Sequence, residues 1–288
     1  MSWLDTIIQG VLLGGLYALF AAGLSLIFGI MRLVNLAHGD LIILAAYILL
    51  SLTASWGIAL VPAVAIAALA LFAFGFALQY FVFNRTLRIG ILPPLIVTFG
   101  LSIVIQNGLL EAYSADSRRL SAGALETASF SIEGALNIGV MPLLTFASAV
   151  LAICALNILF YRTSIGRAFR ATSDDPEIVQ LMGVDNRRIY ALAMGVAMVV
   201  ATIAALFLGL RATFDPTVGP ARLLYAFEAV IIGGLGSLWG TLAGGVVIGV
   251  AQTIGAKINP EWQVLAGHLA FLGVLMIWPR GLFPRAID

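Results

Sequence analysis

Apolar stretches recur along the whole chain, most of them about 20 residues long, enough to cross a hydrocarbon core of roughly 30 Å as a helix. They cover residues 6–30, 41–52, 62–83, 94–110, 140–161, 189–210, 223–236, 240–256 and 262–278. Inside lipid a backbone must satisfy its own N–H and C=O groups, which leaves helices as the solution for such runs. The pattern predicts an all-α, polytopic helical membrane protein with about eight or nine spans. The residue balance agrees: 61% of the chain is hydrophobic and 10% charged, whereas soluble domains are about a quarter charged. No segment reads as a soluble domain, so 1–288 is expected to be a single transmembrane domain. The formal net charge of +1 gives no footing for nucleic acid. Met1-Ser2-Trp3-Leu4-Asp5 lacks the basic start of a cleavable signal. Cys154, the only cysteine, lies in an apolar run and reads as a small buried thiol.

The interruptions between these runs carry the information. The most polar of them is the island at 163–188, densely charged in a chain that is only 10% charged. It holds the marks of a short capped helix. Asp175 can accept from the free N–H groups of a first turn, Pro176 suits the first helical position, and Glu177 suits the positive end of the dipole. Ile178, Leu181 and Met182 fall at i, i+3 and i+4 and form one apolar face. Gly183 reads as a left-handed stop, with Val184 folding back onto that face. Two readings stand here: a well-capped surface loop, or an amphipathic helix made to dock into a partner.

A second interruption, Asn35-Leu36-Ala37-His38-Gly39-Asp40, follows a first span rich in Gly and Ala. It is either an aqueous turn or a helix break at membrane depth, and the latter survives only when buried in protein or facing a water-filled cavity. Ionisable groups at that depth are commonly functional, which makes His38, Asp40 and Glu228 pathway candidates beside structural readings. Arg222 stands too far along a helix to be a good direct partner for Glu228. For His268 the expected partner is a backbone carbonyl. Gly233, Gly234 and Gly236, followed by Gly240, Gly244, Gly245 and Gly249, suit tight helix packing, and a break there would also free backbone groups for a polar ligand. Residues 211–222 read as a connector. No metal-ligand spacing surrounds either histidine, and the single Lys257 excludes a phosphate-binding Gly-Lys-Ser/Thr loop. No cofactor or catalytic centre is expected.

Basic residues near span ends set the orientation. Arg85, Arg88, Arg162, Arg167, Arg170, Arg187, Arg188, Arg280 and Arg285 are expected on the cytoplasmic side. The 111–138 loop, with acids Glu111, Asp116, Glu126 and Glu133 against Arg118 and Arg119, is expected outside.

Several of these blocks together resemble a known family. Asn35-Leu36-Ala37-His38-Gly39-Asp40, Gly166-Arg167-Ala168-Phe169-Arg170-Ala171, Met182-Gly183-Val184, Gly233-Gly234-Leu235-Gly236-Ser237-Leu238-Trp239-Gly240 and Pro279-Arg280-Gly281-Leu282-Phe283 occur in the order found in permeases of bacterial ABC transporters for branched-chain amino acids. The length and short N-terminus resemble the LivH-type subunit rather than the longer LivM-type one. Glu228 has no fixed counterpart in that pattern. The resemblance implies a permease of the bacterial inner membrane without its own ATPase. Its partners would be a second, LivM-type permease, two cytoplasmic ATPase subunits, an extracytoplasmic solute-binding protein and membrane lipid. It also implies that 163–188 is the ATPase-coupling loop, where Ile178, Leu181, Met182 and Gly183 dock and Arg167, Arg170, Asp174 and Asp175 set register. Asn35, His38, Gly39, Asp40, Glu228, Gly233, Gly234 and Gly236 remain the translocation candidates. A self-sufficient secondary transporter or channel is the alternative, with Asp40, Glu228 and His38 as its only coupling groups.

Overall fold

The structure, a computed structural model, describes residues 3–87, 89–90, 92–132 and 136–283. Arg88, Glu133 and Arg285, used above for orientation, lie outside those residues. The chain is helical nearly throughout: α1 Trp3–Met31, α2 His38–Leu50, α3 Leu60–Leu78, α4 Asn84–Leu87, α5 Leu92–Tyr113, α6 Val140–Arg162, α7 Ser164–Asp174, α8 Pro176–Leu181, α9 Asn186–Arg211, α10 Gly219–Gly233, α11 Leu238–Ile258 and α12 Trp262–Ile277. Short π-helical turns extend α2 through Ser51–Ser55 and join α3 to α4 through Gln79–Phe83. Among the described residues, seven helical stretches are long and apolar enough to cross a membrane, and α12 is a shorter apolar helix. This is an integral membrane protein.

Burial divides the helices into two sets. α1 and α9 are enclosed by protein, and residues such as Phe20, Ala21, Ala22, Met194 and Met198 have no exposed surface. On α3, α5, α6 and α12, Leu69, Phe99, Leu151 and Leu269 stand exposed. Large apolar surfaces of that kind are stable only against lipid or another apolar partner. Small residues allow the closest contacts. A Cβ at Gly245 would lie 2.6 Å from the Gly14 carbonyl oxygen, and one at Gly249 only 2.3 Å from that of Gly10, so α11 lies along α1 at backbone distance.

The helices form an inverted repeat that the sequence reading did not detect. α1 ends where α9 begins. Ser173, beside the start of α9, donates to the Gly29 carbonyl at 2.6 Å, and a cleft there is lined by Met31, Arg32, Ser173 and Tyr190. The two long helices therefore run in opposite directions. Each is followed by a short non-helical segment, 32–37 or 212–218, and then by a short helix, α2 or α10. One interval separates Met31 from Arg211, Asn35 from Asp215 and Gly39 from Gly219. α11 packs along α1 as α3 packs along α9, and α10 and α2 pack against α1 and α9 respectively.

The 212–218 segment connects α9 to α10, as read, and is also packed into the bundle. Phe214 is 1% exposed and meets Tyr47 edge-on at 5.1 Å. Its backbone exchanges hydrogen bonds with Arg118 at 2.8 and 2.9 Å, which pins the 111–138 loop to this segment. That loop also holds an antiparallel hairpin, β1 Ser129–Ile132 with β2 Leu136–Gly139, a local exception to an otherwise helical chain. The carboxyl of Glu126 sits below its usual range because the Ala122 backbone N–H donates to it.

Candidate translocation and coupling sites

The break after α1 is buried. Arg32 takes a left-handed φ of 50°, ending α1. The chain then turns back along the helix it has left. Asn35 accepts the Ala37 N–H through its side chain at 3.0 Å and the His38 N–H through its carbonyl at 3.2 Å, a turn that starts α2. His38 Nε2 lies 2.9 Å from the Phe20 carbonyl oxygen, near the middle of α1. Asn35 and His38 are 0% exposed and Asp40 1%. Of the two readings of this stretch, the helix break inside the bundle is the one observed.

Asp40 is held by residues the sequence reading missed. The Ser102 hydroxyl donates to Oδ2 at 2.6 Å and the Gln106 amide to Oδ1 at 3.0 Å. These side chains stand four residues apart on α5, hence on one face. A hydroxyl and an amide at that spacing in an apolar helix were the available signal. The second half of the repeat closes on the same point. A Cβ on Gly39 would lie 2.0 Å from the Gly219 carbonyl oxygen, and one on Gly219 2.0 Å from Asp40 Oδ1. The N-termini of α2 and α10 therefore converge on one carboxyl group, with their positive dipole ends beside it. Half-helices meeting inside a bundle are how transporters present backbone dipoles to polar solutes.

The remaining pathway candidates lie elsewhere. Glu228 is 3% exposed, and its Oε1 contacts His268 Nδ1. This replaces the backbone carbonyl expected for His268. Gly233, Gly234 and Gly236 form the turn from α10 to α11, at the end of the bundle near Gly29. Gly234 and Gly236 adopt φ of 97° and 80°, which explains glycine there. Gly236 borders a cavity of about 230 Å³ with Ser25, Gly29, Asn157, Tyr161, Ser237 and Trp239. These glycines are therefore not gathered with Asn35, His38, Gly39 and Asp40.

The polar island folds as two helices rather than the single one expected. Thr163 caps α7 by accepting from the Gly166 N–H at 3.0 Å. A Cβ on Gly166 would strike the Leu159 and Phe160 carbonyls, at 2.1 and 2.3 Å, so glycine permits the tight α6–α7 corner. Asp175 caps α8, accepting from the Glu177 and Ile178 N–H groups at 3.0 Å each. Pro176 takes the first position and Gly183 adopts φ 87°. Val184 donates its N–H to Val179, the residue of α8 that is buried. The predicted face points outward: Ile178 is 56% exposed, Met182 78% and Leu181 88%. Arg167 and Asp174 are exposed, whereas Arg170 donates to the Phe160 carbonyl and lies over the Tyr161 ring at 5.1 Å. Arg170 thus ties α7 to α6.

Two converging half-helices, a saturated buried carboxylate and an exposed amphipathic helix at one end define a transport protein of the helical membrane class. Residues 6–278 match the family described as branched-chain amino acid transport system / permease component, and the chain belongs to that family. It is 31% identical to the high-affinity branched-chain amino acid transport system permease protein BraD of Pseudomonas aeruginosa, over 98% of this chain and 96% of that one. It is 28% identical to the corresponding LivH of Salmonella typhimurium, over 99% and 96% of the two chains. Against LivM of the same organism the identity is 24%, over 93% and 68%.

Proposed function

We propose that this chain is the permease subunit of a binding-protein-dependent ABC importer for branched-chain, aliphatic amino acids in the bacterial cytoplasmic membrane. The observation that carries the reading is the outward apolar face of α8, on a chain related over nearly its full length to branched-chain amino acid permeases. An exposed, capped, apolar helix needs a groove, and an ATPase subunit supplies one. In this reading α7 and α8 are cytoplasmic, the 111–138 loop faces the solute-binding protein, and a LivM-type permease completes the membrane part. Energy comes from hydrolysis on two partner ATPases. The alternative of a self-sufficient secondary transporter has less to stand on, because both Asp40 oxygens already have partners within the chain.

Coupling works through rigidity in this reading. Arg170 fixes α7 to α6, Asp175 fixes the start of α8, and Ser173 fastens α7 to the end of α1. Movement of the ATPase against Ile178, Leu181 and Met182 is thereby passed to α1 and α6. Leu181→Asp tests this. A charge forced into a desolvated contact costs several kcal/mol, enough to break a transient interface. The expected result in the reconstituted four-component membrane complex with its binding protein is normal insertion, lost stimulation of ATP hydrolysis and lost leucine uptake. Wild-type hydrolysis and uptake would reduce α8 to a surface loop.

A further inference from the structure

A second cluster of buried polar groups lies away from Asp40, in the half of the repeat that begins with α9. The Tyr17 hydroxyl donates to Gln252 Oε1 at 2.5 Å. The Tyr17 ring packs on Tyr225 at 4.9 Å, Tyr225 stacks with His268 at 6.3 Å, and His268 contacts Glu228. The guanidinium groups of Arg211 and Arg222 lie within electrostatic range of the Tyr17 hydroxyl. One chain of contacts therefore joins α1, α10, α11 and α12, with the end of α9 beside it.

Among the described residues, four buried polar atoms of this cluster have no hydrogen-bond partner: Arg211 Nη1, Arg222 Nε, Glu228 Oε2 and Gln252 Nε2. Glu228 and Gln252 are 3% and 1% exposed. Among the described residues no carboxylate lies within ion-pair distance of Arg211 or Arg222. Ionisable groups kept inside a membrane bundle are costly, and cations with no internal counter-charge suit an anionic group brought from outside. Along α10, Arg222 and Glu228 are separated by six residues, a rise of about 9 Å. Six residues also turn the helix by about 240°, so it is the Tyr17–Tyr225–His268 chain of contacts, not α10 alone, that ties Glu228 to the arginines near Tyr17. In the same cluster, the Tyr17 and Tyr225 rings offer apolar surface to an aliphatic side chain.

We propose that Arg211, Arg222, Glu228 and Gln252 form a binding site for the zwitterionic backbone of an α-amino acid within this permease subunit. The site deepens the transport reading above and rests on it. Arg222 and Arg211 take the carboxylate as charge-assisted donors, and Glu228, held by His268 through its other oxygen, takes the ammonium. Gln252 Nε2 donates to the ligand while Tyr17 fixes the amide.

The test uses the assembled permease–ATPase complex in nanodiscs, without binding protein. Tritiated L-leucine is bound and competed with leucinamide, which lacks the carboxylate, and with 4-methylpentanoate, which lacks the ammonium. Wild type is expected to prefer leucine over both, by about tenfold or more. Arg222→Gln is expected to bind leucine and leucinamide alike. Glu228→Gln is expected to bind leucine and 4-methylpentanoate alike. This crossed pattern is not produced by a general folding defect. A uniform loss on all three ligands in both variants, or variants with wild-type preference, would overturn the site. Absence of leucine binding in a wild-type complex that still imports leucine with its binding protein would overturn it and leave the transport reading standing. A complete wild-type complex that imports no leucine would remove the transport reading, and the site with it.

Discussion

The two halves of the repeat share a backbone plan and differ in how they treat charge. In the first, Asn35 starts a turn, α2 begins in the interior, and the carboxylate of Asp40 has both oxygens occupied by Ser102 and Gln106. In the second, Asp215 starts the equivalent turn by accepting the Thr217 N–H at 2.8 Å, and α10 begins opposite α2. Yet among the described residues its carboxylate, Glu228, has one oxygen without a hydrogen-bond partner, and Arg222 Nε also has none. A buried carboxyl whose two oxygens are both hydrogen-bonded holds helices in register, whereas one with an open oxygen is more expensive without a ligand. With the binding site proposed above, the first half is the fixed seam and the second the half that meets a polar solute.

Breaking the seam is expected to have the largest effect. Leucine at Gly39 or Gly219 puts a Cβ 2.0 Å from a backbone oxygen or from Asp40, with no flexible side-chain end to yield on the Gly219 side. Overpacking of this kind costs about 1–3 kcal/mol where some relaxation is possible and more where two backbones meet. Either variant should fail to give a monodisperse protein in detergent, by size exclusion and thermal melting. Gly108→Leu is the control, because a Cβ there meets nothing within 4 Å. A Gly39→Leu protein that melts like Gly108→Leu would remove the seam.

A middle-sized effect is expected from charge alone. Asn35 is 0% exposed and its Oδ1 already serves the turn. Asn35→Asp keeps that acceptor and adds a charge, or a carboxyl proton, with no new partner. Burying a polar group in that state costs about 1–3 kcal/mol by mutational measures, and more if it ionises. Because its folded pKa would be raised, the loss should be smallest at low pH and grow as pH rises past the usual aspartate range. The midpoint of thermal unfolding between pH 4 and 8 measures this, and a flat profile would place position 35 in contact with water.

The sequence disclosed the spans because a bilayer imposes a minimum apolar length. It disclosed α8 because Asp175, Pro176 and Gly183 each have a local backbone job that can be read without knowing any neighbour. Long-range partners were hidden. Ser102 and Gln106 are ordinary in an apolar helix until Asp40 is placed beside them, and His268 meets Glu228 from another helix. The inverted repeat was hidden for a related reason. Its halves share little beyond a turn-starting Asx residue and a glycine at the contact point, because the symmetry lives in the backbone path. Residues 211–222 read as a connector, and 212–218 does connect α9 to α10, but Asp215-Pro216 and Gly219-Pro220 carry the punctuation of any turn and gave no sign that Phe214 is buried.

The smallest effect is expected from the mirror-image change. Asp215 occupies the place in its turn that Asn35 occupies in the other, and its Oδ1 accepts from both the Thr217 N–H and the Thr217 hydroxyl, at 2.8 and 2.5 Å. An asparagine side chain presents the same carbonyl acceptor in the same geometry, so both bonds persist in Asp215→Asn. The position is partly exposed, which makes loss of its charge cheap. Stability should change by no more than about 0.5 kcal/mol, with little pH dependence. The paired substitutions therefore separate two causes that coincide in either half alone. If the turn's hydrogen bonds set stability, Asn35→Asp and Asp215→Asn should behave alike, since each preserves an acceptor. If burial of charge sets it, the first should lower the melting temperature clearly and the second should not. Equal losses in both variants would mean that the second break is as dry as the first, and the contrast between a closed half and an open half would fall.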